Sequence, residues 1–225
     1  MQIQSINSII ISTLMILLSA CGGEESGTLK GVASSMNTVS SVSSINISTN
    51  PVIMNAGAIS GLKVMCNSVE LVTYTDGSIK CEDTPVTVYL GEFKIGDVDS
   101  VPLDGYIYTQ DLFHLTRADI AHPEVTKLSM ILQSLDKDAE PLNGITLDSS
   151  VLDLLGSHLN NSTILANLTF DNVESIIEDV IQTALSQDAN SQLKAVGYDT
   201  AQSNLATSVA NAPALTYDQR TAGGI

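Results

Sequence analysis

Near Gln110 the hydrophobic pattern of this chain changes period, and that change restricts the fold more than any other feature. Before it, Leu62, Val64 and Cys66 alternate with Lys63 and Met65, and Val86, Val88 and Leu90 alternate with Thr87 and Tyr89. A period of two is what a strand buried on one face produces. After it, Val125, Leu128, Leu132 and Leu135 fall on one stripe with Ile131 beside them. Val173, Ile176, Ile177, Val180, Ile181, Ala184 and Leu185 likewise recur at helical spacing. Strands first and helices second predict an α+β fold. The expectation is a small β-sandwich-like domain over residues 61–110, with helices over residues 111–212 packed on it.

Local signals add detail. Val69 to Tyr74 is rich in strand formers, and Asp76-Gly77 separates it from Ser78 to Cys81. Asp-Gly between such runs predicts a hairpin, because the turn needs positive φ at its centre. Tyr106 to Tyr108 reads as a last short strand. Pro123 fits the first position of a helix, with His122 before it and Glu124 just inside. Asp148 or Ser149 fits the cap of Val151 to Leu159, and Asp171 with Glu174 reads as a capping box for the next helix. Ala189 to Val196 and Ala201 to Val209 read as weaker helices divided by Gly197, and residues 213–225 as a disordered tail.

The apolar run Ile9 to Leu18 ends in Leu18-Ser19-Ala20-Cys21. It is shorter than the roughly 20 residues that span a bilayer as a helix. The stretch resembles a bacterial lipobox: residues 1–20 would be the signal peptide and Cys21 the lipid-carrying residue. Met1 to Ser8 departs from the pattern by lacking Lys and Arg. The other reading is an ordinary cleaved signal with a Cys following the cut. Gly22 after Cys21 favours the outer membrane, by resemblance to enterobacterial lipoproteins. Residues 21–60, rich in Ser, Thr, Asn and Gly, read as a lipid-anchored flexible tether. With Cys21 acylated, Cys66 and Cys81 are the remaining pair, and an oxidising envelope would bond them. The other reading is two buried free thiols. Were Asn67-Ser68 and Asp76-Gly77 both tight turns of one meander, a strand would separate the two Cys. The bond therefore implies a looser turn at Asn67.

The formal net charge is −16, with the acidic residues scattered along the chain. Such a surface repels nucleic acid and anionic lipid head groups, so no nucleic-acid partner is expected. With aromatics at 4% and no Trp, the chain is poorly supplied for stacking on sugars. His114, His122 and His158 are far apart, and no metalloprotease, nucleophile-elbow, phosphate-loop or dinucleotide motif occurs. No catalytic residues are expected, and the protein reads as a non-enzyme. One loop carries possible chemistry: Asp136, Asp138 and Glu140 alternate after a helix, as carboxylates that converge on Ca²⁺ do. Yet Pro141 stands where the EF-hand glycine belongs and Leu147 where its bidentate Glu belongs. A solvated turn is the other reading, and no further cofactor is expected.

Several segments together resemble a known module. They are Gly61-Leu62 through Cys66, Thr75-Asp76-Gly77, Val86 to Gly96, Ile131 to Asp138, and Pro141-Leu142-Asn143-Gly144-Ile145. The set is similar to the N-terminal region of large surface lipoproteins of the accessory-colonization-factor and secreted-mucinase type. The resemblance covers about residues 61–145; the 131–145 part is the more specific, while the β part is generic. It implies an envelope location and a role in surface or host contact. The zinc protease motif of the mucinases is absent, so it implies no catalysis. The expected role is a lipid-anchored envelope protein, outer-membrane or surface, that mediates protein or host-surface contact of the adhesion or colonisation type. The alternative is a periplasm-facing accessory lipoprotein of a secretion or pilus assembly.

Overall fold

The computed structural model describes residues 50–81, 84–160 and 162–212. The expected signal peptide, Cys21, the expected tether as far as residue 49 and the expected tail lie outside the described residues. The fold is α+β, with four helices and several small sheets. Two short strands come first, β1 (Val52–Met54) and β2 (Ile59–Ser60). Next come β3 (Lys63–Cys66), β4 (Val69–Val72), β5 (Val86–Leu90) and β6 (Phe93–Val98), which form one antiparallel sheet in the order β4-β3-β5-β6. The expected alternation is present: Leu62, Val64, Cys66, Val86, Val88 and Leu90 are buried. β7 (Tyr106–Tyr108) pairs in parallel with β1, and β8 (Ile145–Thr146) in parallel with β2.

Two expectations are corrected here. In place of a sandwich of two facing sheets, the described residues form one four-stranded sheet and two parallel strand pairs. Parallel partners cannot be joined by a tight turn, so each pair closes over a long stretch of chain. The flexible tether expected over residues 21–60 is also corrected at its end, because Ile53, Asn55 and Ile59 have no exposed surface. Its last residues are core strands.

The turns differ from expectation as well. Asn67-Ser68 closes a tight hairpin, with Cys66 opposite Val69 and Asn67 at φ 53°. Asp76-Gly77 does turn the chain, with Gly77 at φ 74°, but the arm after it does not return along β4. Ser78 bridges to Val52 instead, and Ile79 N–H donates to Pro51 O at 2.9 Å. Gly77 makes this route possible, since a Cβ there would lie 2.8 Å from Ile59 N.

Helix α1 (Pro123–Ser134) begins at Pro123 as the sequence indicates. Its stripe is only part of its buried surface, because every residue from Val125 to Ser134 is buried. Helix α2 (Ser149–Gly156) is capped by Asp148, whose side chain accepts from Ser150 N. Helix α3 (Phe170–Gln187) buries Val173, Ile177, Val180, Ile181 and Ala184. Its capping box is Thr169 with Asn172, two residues earlier than Asp171 with Glu174. Helix α4 (Tyr198–Ala210) follows Gly197. The helix expected over Ala189 to Val196 is absent; there Leu193 is buried and Val196 N–H donates to Ser134 Oγ at 2.8 Å. No helix among the described residues is long and apolar enough to cross a membrane.

Polar residues of α1 meet partners rather than water. Asn55 Nδ2 donates to Ser129 Oγ at 2.8 Å and to Thr109 Oγ1 at 3.1 Å. Gln133 Nε2 donates to Asn55 Oδ1 at 3.0 Å and to Ala201 O at 3.1 Å, while its Oε1 accepts from Asn204 at 2.9 Å. Buried polar groups are tolerated only when paired in this way. The ladder ties the connection after β1, the residue after β7 and α4 to one central helix.

Candidate functional site

The loop after α1 brings Asp136 and Asp138 together, though not as an open cation cage. Asp136 has no exposed surface. Its Oδ1 accepts from Thr146 N at 2.9 Å and its Oδ2 from Glu140 N at 3.0 Å. Asp138 accepts from Glu140 N at 3.0 Å and from Asn143 Nδ2 at 3.1 Å. Burial pushes the Asp136 carboxyl up to about 6, helped by its hydrogen bond to Asp138 and opposed by the backbone donor of Thr146. Asn143 holds Asp138 below the usual carboxylate range. Glu140 enters through its backbone N–H. Among the described residues no three or more His, Cys, Asp or Glu side chains gather as a metal set. The visible work of the loop is to deliver Ile145 to β2: Ile145 N–H donates to Ala58 O at 2.8 Å and Leu147 N–H to Ser60 O at 3.1 Å.

A cavity of about 530 Å³ opens beside this loop, with Lys137, Asp148 and Asp188 around it and Val151, Leu154 and Leu193 among its apolar walls. Lys137 Nζ lies 3.7 Å from Asp148 Oδ2 across it. A second cavity, about 500 Å³, lies between Tyr106, Tyr108, Leu142 and the end of α4. The three histidines lie on different elements: His114 is exposed with its Nε2 3.6 Å from Asp97, His122 precedes α1, and His158 follows the end of α2.

Cys66 and Cys81 form a disulfide with Cα atoms 5.6 Å apart. The looser turn at Asn67 that this bond implied is not what allows it. The hairpin stays tight, and the arm after Gly77 carries Cys81 to Cys66 by another route. Both residues are buried. The bond fastens that arm to the end of β3 and leaves the far side of β4 open.

That open strand is a candidate contact feature that sequence reasoning missed. β4 ends the sheet, and Val69, Val72 and Tyr74 are 60%, 57% and 57% exposed. They are three of the six large hydrophobics exposed among the described residues, so the apolar surface concentrates there. The signal was legible in principle: Val69 to Tyr74 holds strand formers on both faces, where one face of an ordinary edge would be polar. An open edge can receive another strand through main-chain hydrogen bonds. Comparison of the chain with protein-family models, curated proteins and solved structures found no match.

Proposed function

We propose that this is a lipid-anchored, non-enzymatic envelope protein that makes contact with another polypeptide. Cys21 carries the lipid, residues 22–49 form the tether, and the described body is held away from the membrane, on the outer-membrane or surface side. The observation that carries the reading is the Cys66–Cys81 disulfide, buried in the core of the fold. Structural disulfides belong to oxidising compartments, which fits export by the signal resembling a lipobox. The exposed apolar edge of β4 supports contact with protein. In this reading the Asp136 and Asp138 loop closes the fold and needs no Ca²⁺, and the acidic surface keeps nucleic acid away.

The test is metabolic labelling with tagged palmitate in a bacterial host, with the parent and a Cys21→Ser chain side by side. The parent is expected to carry label and sediment with membranes. The substituted chain is expected to carry none and to move to the aqueous fraction. A parent that stays unlabelled and soluble overturns the proposal. Labelling of intact cells with an impermeant reagent then reads which side the body faces.

A further inference from the structure

We infer that β4 pairs with β4 of a second copy, antiparallel about a two-fold axis through Leu71, joining two four-stranded sheets. Hydrogen-bond parity along β4 comes first. Cys66 opposite Val69 closes the tight turn, and at the other end Thr73 N–H donates to Leu62 O at 3.0 Å. Bonded and non-bonded pairs alternate in an antiparallel ladder, so Val69, Leu71 and Thr73 turn their backbone groups toward β3. The N–H and C=O groups of Glu70 and Val72 point to the open side, where nothing among the described residues meets them.

A second copy in the register centred on Leu71 sets Glu70 opposite Val72 of that copy and Val72 opposite its Glu70. All four outward N–H groups then find an outward C=O. The interface is isologous and closes on itself, so it makes a dimer and not a fibre.

Charge selects both the occupant and the register. In this arrangement no carboxylate faces another across the seam. Lys63 stands opposite Val72 within each sheet. Lys63 Nζ bonds Glu92 Oε1 at 2.6 Å within its own sheet; each Glu70 lies two strand spacings, about 9.5 Å, from Lys63 of the second copy and shares it with that Glu92. The in-phase register centred on Glu70 would set two carboxylates face to face and is disfavoured. The two edges of the sheet also differ. β6 is irregular against β5 near Ile95 and carries Lys94 and Asp97, devices that discourage pairing. β4 carries no bulge, Pro or Lys.

The test needs no lipid, so its failure is separate from failure of the anchoring proposal. The mature chain from residue 21 is made with Cys21→Ser, and Leu71→Cys or Tyr74→Cys is added. Leu71 meets its own symmetry mate, whereas Tyr74 would face Ser68 and stands away from the Cys66–Cys81 bond, which Val69, opposite Cys66, does not. Under a glutathione redox buffer Leu71→Cys is expected to form a covalent dimer about tenfold faster than Tyr74→Cys, although Tyr74 is the more exposed. Adding Val72→Pro removes an outward N–H that β3 does not use, so the monomer keeps its fold and the cross-linking falls to the Tyr74→Cys rate. Sedimentation of the Cys21→Ser parent should show a concentration-dependent dimer that Val72→Pro abolishes. Leu71→Cys that links no faster than Tyr74→Cys, or linking that Val72→Pro leaves unchanged, overturns the inference.

Discussion

Asp136 holds a carboxylate with no exposed surface between two backbone donors, and its ionisation acts on the whole fold. In the unfolded chain the group titrates near 3.8; in the fold burial raises it to about 6. The folded state therefore holds the proton more tightly. This contribution to stability is fully present below pH 3.8 and is lost as pH rises through about 6. Asp136→Asn cannot ionise. Across pH 4 to 7 the parent should lose urea-unfolding midpoint relative to Asp136→Asn, with the change centred between the two values. A difference between the two chains that does not vary with pH would show that the carboxyl titrates alike in the folded and unfolded states.

At the scale of elements, α1 is the hub. Its apolar stripe was legible because period 3.6 is a local property, and the same holds for the buried face of α3. What could not be read is that the opposite side of α1 is also buried, because Thr126, Ser129 and Gln133 resemble a solvated face until their partners are known. Those partners are Asn55, Gln202 and Asn204, distant in sequence. The capping box moved to Thr169 for a related reason: Asp171 is acidic in the first turn, yet Thr169 has the extended backbone a cap requires. Gln133→Leu keeps the bulk and removes the amide, leaving Asn55 Oδ1 and Ala201 O without this donor and Asn204 without its acceptor. The expected loss is about 2–4 kcal/mol by urea unfolding. A loss near zero would mean that these groups find other partners.

For the molecule as a whole, the disulfide closes a 15-residue separation. By the chain-entropy argument this restricts the unfolded state by about 3 kcal/mol. Replacing both Cys66 and Cys81 by Ser should lower stability by about that amount with the native fold retained, as checked by chemical unfolding alongside circular dichroism. The pairing of Cys66 with Cys81 was legible from cysteine count and the expected compartment. Its route was not, because Asp76-Gly77 signals a turn without saying which strand lies on the other side. The candidate calcium loop shows the same gap. Alternate acids were visible in sequence, but their capture by Thr146, Glu140 and Asn143 depends on how the chain returns to β2.

That return has a consequence for biogenesis. Ser60 must wait for Ile145, 85 positions later, before β2 gains its neighbour. Non-local closures of this kind slow folding. A nascent chain therefore lacks a finished core until its second half has been synthesised, and it stays threadable meanwhile. Under the proposed export, this suits passage through a narrow channel as an open strand, with the core completed only on the far side.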